Sequence, residues 1–135
     1  MKKALILALF TAVSACILPD RQSEIVEPPL EGTIWMLKHI GNKEIAKSPT
    51  QPFIKFENGT FQGFGGCNQF NGSYTVEKNR LRVKQITATE MFCEAIDTEE
   101  LYLSSLQRAT RYQILTDQML MADGEKPLLL FKSRK

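Results

Sequence analysis

The chain has 135 residues, 43% hydrophobic and 24% charged, enough apolar material for one packed domain. Seventeen basic residues face fifteen acidic ones, and the balance is even once Lys2 and Lys3 are set aside with a leader. With no basic surplus, a DNA- or RNA-binding surface is not expected, and the terminal Lys132, Arg134 and Lys135 read as a solvated tail.

Met1-Lys2-Lys3 is a short positive stretch before the apolar run Ala4–Phe10, which is too short to span a bilayer. Val13-Ser14-Ala15-Cys16 then sets small residues directly before a cysteine. This resembles a bacterial lipobox, with valine where leucine is usual. It predicts a lipoprotein signal peptide at residues 1–15 and acylation of Cys16; the alternative is an ordinary signal peptide cut near Ala15. Each buried methylene contributes about 0.8 kcal/mol, so two or three acyl chains anchor a protein stably where one does not. Ile17, not aspartate, follows the cysteine. By the enterobacterial sorting rule this favours the outer membrane, facing the periplasm. Residues 16–29, with Pro19, Pro28 and Pro29, read as a lipidated N-terminus and extended tether, and the folded domain is expected over 30–135.

A first strand is predicted over Ile34–Ile40, stopped by Gly41-Asn42. Trp35, the only tryptophan, reads as a core anchor, with ligand stacking as the alternative. His39, the only histidine, has no second metal-type ligand near it in sequence and reads as a surface or strand-end residue. Lys43–Pro52 reads as a polar loop. Phe53–Glu57 and Thr60–Phe64 flank Asn58-Gly59, the signature of a two-residue type I′ hairpin. That register pairs Glu57 with Thr60, Phe56 with Phe61 and Phe53 with Phe64, and the face bearing Ile54, Phe56 and Phe61 is expected to point into the core.

Gly63 to Tyr74 packs glycines, aromatics, Cys67, Asn68 and Asn71 between strand-like runs and reads as a sharply bent segment. A second hairpin joins Ser73–Glu77 to Arg80–Val83 through Lys78-Asn79, pairing Tyr74 with Val83 and Val76 with Leu81. Gln85–Thr89 reads as a short strand or connector leading to Met91-Phe92-Cys93. A helix follows, with Asp97 or Thr98 as N-cap, Asp97 and Glu100 at capping-box spacing, and Glu99 and Glu100 suiting the helix dipole. Its stripe of Tyr102, Leu103, Leu106 and Ala109 is expected to pack on a sheet, and it ends near Arg108. Strands over Arg111–Thr116, Met119–Ala122 and Leu128–Phe131 close the chain. The fold class expected is α+β, mostly β: a curled antiparallel sheet of about eight strands, roll or small barrel-like, with one helix packed on it.

Three cysteines leave an odd one, which lipidation of Cys16 absorbs. Cys67 and Cys93 then form a candidate disulfide in an oxidising compartment; the alternatives are two buried thiols, or a redox or metal role. No Cys-x-x-Cys occurs, and His39 alone cannot complete a zinc site, so no metal or other cofactor is expected. No nucleophile is placed near His39, and Gly63-x-Gly65-Gly66 lacks the strand-to-helix context of a nucleotide loop, so no catalytic residues are assigned. Asn68 and Asn71 read as satisfying backbone groups in the bend, with ligand binding as the alternative.

Gly66-Cys67-Asn68, then Asn71-Gly72-Ser73-Tyr74, then Thr89-x-Met91-x-Cys93, and Glu99 or Glu100 ahead of Leu103 and Leu106, resemble the META domain, or HslJ-like, family. Gly32-Thr33-x-Trp35-x-Leu37 and Leu128–Phe131 fit it too, and Glu90 stands where a basic residue is common. The resemblance covers about Leu30 to Phe131. It implies a compact, mostly β domain in a secreted or envelope-attached protein, often a lipoprotein, associated with heat shock, antibiotic tolerance, motility and virulence. It supplies no catalytic set.

The function expected is therefore that of a non-enzymatic lipoprotein of the cell envelope, held to the membrane through its N-terminal lipid and serving stress or antibiotic tolerance through contact with an envelope protein. Trp35, Asn68 and Phe70 are the positions expected to offer a contact surface. The alternative is a small-ligand module with Trp35, Phe53, Phe64 and Phe70 lining a groove.

Overall fold

The computed structural model describes residues 26–134. The expected signal peptide and Cys16 lie outside the described residues. Along the chain run β1 (Ile34–Ile40), β2 (Lys43–Glu44), β3 (Phe53–Glu57), β4 (Thr60–Phe64), β5 (Gln69–Glu77), β6 (Arg80–Ala88), α1 (Ile96–Arg108), β7 (Arg111–Leu115), β8 (Gln118–Asp123) and β9 (Lys126–Ser133).

All nine strands join one antiparallel sheet in the order β2-β1-β3-β4-β5-β6-β7-β8-β9. A further pairing of β1 with β9 curls the sheet back on itself. The ring is weakest between β6 and β7, where Arg80 opposite Arg111 is the one register pair, flanked by bonds from Leu81 N to Thr110 O and from Tyr112 N to Asn79 O. The sheet is therefore not a regular barrel. Helix α1 packs across the curl, against β6, β9, β1 and β8. The expected fold class holds, with nine strands in place of about eight. The extra one, β2, lies inside the expected polar loop, and two residues are too few to show an alternating pattern.

The first hairpin has the register read from Asn58-Gly59: Glu57 opposite Thr60, Phe56 opposite Phe61, Phe53 opposite Phe64. Asn58 and Gly59 both take positive φ, 50° and 76°, as a type I′ turn requires. Ile54, Phe56 and Phe61 are buried on its inner face. The second hairpin pairs Tyr74 with Val83 and Val76 with Leu81, also as expected, and Glu77 with Arg80 beside the turn. It extends further than the sequence suggests. Gln85, at φ 53°, forms a bulge opposite Gly72, and β6 continues through it to Ala88 as one strand.

An unbroken run of aromatic contacts crosses the interior. Tyr74 meets Phe56 edge-on at 4.9 Å, Phe56 meets Phe61, Phe61 meets Phe70, and Tyr102 of the helix bridges Phe70 at 5.5 Å to Phe131 at 6.0 Å. Such pairs contribute about 0.5–1.5 kcal/mol each beyond the area they bury. Tyr102, Leu106 and Ala109 are buried and Leu103 partly so, as the helical stripe predicts.

Candidate functional site

The segment from Gly63 to Tyr74 is less irregular than its composition suggests. Gly63 and Phe64 belong to β4, and Gln69 onward belongs to β5, with Phe64 opposite Gln69. Only Gly65–Asn68 forms the connection, closed by a bond from Gly65 N to Asn68 O at 2.8 Å. Gly66 takes φ 110°, a conformation that side chains disfavour.

What holds this turn is a buried carboxylate from the helix. Glu99 Oε2 accepts the backbone N–H groups of Cys67 at 3.0 Å and Asn68 at 2.5 Å, and Oε1 accepts Nδ2 of Asn68 at 2.7 Å. Gly65 lies directly against the Glu99 side chain, so a Cβ there would overlap the carboxylate. Asn68 passes the connection on. Its Nδ2 also donates to Met91 O at 3.0 Å, and its Oδ1 accepts from Thr89 Oγ1 and Met91 N, both at 2.7 Å. Two donor and two acceptor positions of the amide are thereby filled. A disulfide from Cys67 to Cys93, Cα atoms 5.9 Å apart, closes the same unit covalently. Turn, pre-helix segment and helix start are thus tied together three ways.

Of the alternatives left open for the cysteines, the bonded pair is the one formed. Asn68 does satisfy backbone groups, yet both of them belong to Met91, outside its own bend. Three expectations need correction. Trp35, Asn68 and Phe70 are 0%, 1% and 2% exposed, so none of them forms a contact surface. Trp35 is a core anchor whose Nε1 donates to Leu30 O at 3.0 Å, and Phe70 lies in the aromatic run. The aromatic groove proposed through Trp35, Phe53, Phe64 and Phe70 does not form, since the first and last face the core while Phe53 and Phe64 pair on the opposite face. Nor do Asp97 and Glu100 build a capping box. The N-cap is Ala95, with no side-chain cap bond, and Ile96 N donates to Cys93 O instead. The disulfide-bonded approach starts the helix before Asp97, and Thr98 Oγ1 accepts from Lys43 Nζ at 2.8 Å.

Glu99 is the residue whose role the sequence reading missed. A signal was present: Glu99, Tyr102 and Leu106 are spaced i, i+3, i+7, which puts the acid on the buried stripe. His39, in β1 opposite Glu44 and Leu130, borders a surface groove with Leu120 and Pro127. Among the described residues no three His, Cys, Asp or Glu side chains come together as metal ligands would.

Asn68 and Glu99 turn inward, and the stapled segment presents Met91 and Phe92 outward between the exposed Glu90 and Glu94. Phe92 is 91% exposed and Met91 61% exposed, and both sit beside Cys93 on the pinned segment.

A family model described as META domain matches residues 28–135. An NMR structure of a protein from Burkholderia xenovorans is 21% identical, covers 88% of this chain and 99% of its own, and superposes with a TM-score of 0.63. A second NMR structure is 22% identical over 76% of this chain and 90% of its own, with a TM-score of 0.64. A crystal structure of a DUF4847 family protein from Bacteroides vulgatus is 17% identical over 78% of this chain and 95% of its own, with a TM-score of 0.58. At these identities the likeness is one of fold. A search of curated proteins finds no significant match.

Proposed function

The chain belongs to the META domain family, and on that premise we propose that it acts without catalysis, as a lipid-anchored protein of the cell envelope. Its folded domain meets another envelope protein and so contributes to stress or antibiotic tolerance. The observation that carries this reading is the exposure of Phe92 and Met91 on a segment fixed by Asn68, Glu99 and the disulfide. A large apolar side chain on an immobilised backbone loses little freedom on association, which favours its use as an interface anchor. The polar groups beside it support the same reading, because Cys67, Asn68 and Glu99 are already bonded to one another or to the neighbouring backbone.

A photo-crosslinking residue in place of Phe92 should give a discrete adduct in intact cells, and one in place of the exposed Lys78 should not. Phe92→Asp should keep the wild-type melting curve and lower survival under the stress in which the wild type supports growth. No adduct at position 92, together with full survival of the variant, would refute the contact reading. Anchoring is checked separately: Cys16→Ala should move the protein out of the membrane fraction, and unchanged fractionation would refute it.

A further inference from the structure

Three separate parts of the chain meet where the described residues begin. Glu27 Oε1 accepts the backbone N–H of Thr116, in the turn between β7 and β8, at 3.1 Å. Ser133 N donates to Asp117 O at 2.8 Å, and Arg134 N donates to Ile34 O at 2.9 Å. Residues 26–28, the β7–β8 turn and Ser133-Arg134 therefore form one pole. Val26 and Leu115 are exposed there, 83% and 59%. A groove of about 630 Å³ opens among Val26, Pro28, Thr116, Asp117 and Arg134.

From Ile34, β1 carries the chain six residues to Ile40, roughly 20 Å at a strand's rise. At that far end Gly41 N donates to Leu128 O, and Lys43 reaches Thr98 in the first turn of α1. The stapled segment with Met91 and Phe92 leads directly into that turn and so belongs to the opposite pole. Of the exposed large apolar residues among those described, the four most exposed divide between the two poles, Val26 and Leu115 at the first and Met91 and Phe92 across the length of β1 from it.

We infer that the first pole rests on the bilayer, with Val26 and Leu115 at the boundary of headgroups and acyl chains and Arg134 toward lipid phosphates. The inference rests on acylation of Cys16. Val26 lies ten positions after Cys16, a stretch that spans at most ~33–36 Å even when fully extended. A link that short holds this pole at an effective concentration on the order of millimolar relative to the surface, so weak contacts suffice to set the orientation. Among the described acids of this pole, Asp117 is paired with Lys132 at 3.1 Å, and Glu27, whose carboxylate accepts the Thr116 N–H, keeps its charge. Resting on this pole, the domain turns Phe92 away from the membrane, toward proteins in the aqueous space.

The test places tryptophan at either pole of the anchored protein. Residues 16–135, with the Cys67–Cys93 bond intact, are coupled through Cys16 to a maleimide phospholipid in phosphatidylethanolamine–phosphatidylglycerol vesicles, so that anchoring does not depend on acylation in the cell. Leu115→Trp and Val26→Trp emission, corrected for Trp35 with the wild-type protein, should shift to the blue and be quenched by brominated lipid. Phe92→Trp emission should be unchanged by it. All three sites are exposed, so folding is expected to persist, and the near-ultraviolet signal of Trp35 reports it. Equal quenching at positions 92 and 115, or none at positions 26 and 115, would overturn the inference. Acylation itself is read from the mass of the Cys16 peptide in native protein. An unmodified Cys16 refutes the anchoring reading whatever the vesicles show, so the two failures are distinct.

Discussion

Glu99 and Asn68 hold each other across the gap between helix and sheet: the carboxylate takes both the backbone and the side-chain N–H of the asparagine, at 2.5 and 2.7 Å, with both residues buried. This pair converts a glycine-rich turn into a fixed platform. Glu99→Ala would strand three buried donors, those of Cys67 N, Asn68 N and Asn68 Nδ2. Each stranded group costs about 1–3 kcal/mol, so a loss of ~3–5 kcal/mol is expected in urea unfolding. Glu99→Gln should cost less, because one oxygen remains to serve the two backbone groups. A midpoint unchanged by Glu99→Ala would show that the network carries no stability.

Gly65 is matched to that carboxylate by shape. Gly65→Ala would drive its Cβ into the Glu99 side chain, with an expected cost of about 1–3 kcal/mol. The informative measurement is the double-mutant cycle. In the Glu99→Ala background the clash is gone, so Gly65→Ala should cost markedly less than it does alone. Strict additivity would place the cost of Gly65→Ala elsewhere.

The Cys67–Cys93 bond closes a separation of 26 residues. Chain-entropy arithmetic for a loop of that size gives about 3–4 kcal/mol. Reductant, or Cys93→Ser, should lower the urea midpoint accordingly. The hydrogen bonds to Glu99 and Asn68 remain in place, so the folded state should survive under native conditions. Thiol titration of unreduced protein should find neither Cys67 nor Cys93 free.

Tyr102 carries the one buried side-chain polar atom without a partner among the described residues, its hydroxyl. Tyr102→Phe removes that oxygen and keeps the ring between Phe70 and Phe131. A gain of ~1 kcal/mol is expected, read as a higher melting temperature. A loss would reveal a partner for the hydroxyl.

Tyrosine ionisation predicts how the protein fails in alkali. Burial, then the hydrogen bond to Glu31, pushes the Tyr74 hydroxyl up to about 12, and burial alone pushes Tyr102 well above 10. Both ionise near 10 when unfolded. Between those values the unfolded chain has released protons that the folded chain still holds. The stability these two groups contribute is therefore intact below pH 10 and is lost as pH rises from 10 toward 12. Urea midpoints measured across that interval should fall, and should fall less steeply in Tyr74→Phe.

Much of this molecule follows from local rules. Asn58-Gly59 can make only a narrow range of turns, so it fixes the first hairpin's register and with it the inward face of Ile54, Phe56 and Phe61. The second hairpin and the helix stripe follow from alternation and from the 3.6-residue period in the same way. Those signals act over a few residues, where chain geometry alone decides. The pairing of β1 with β9 and the turning of Glu99, Asn68 and Phe70 inward depend on segments tens of residues apart, and they were settled only when the sheet curled and excluded water. A polar residue reads as exposed until partners able to replace its water are in place. Glu99 and Asn68 supply those partners to each other, which left Met91 and Phe92, an apolar pair in the sequence, as the groups facing solvent.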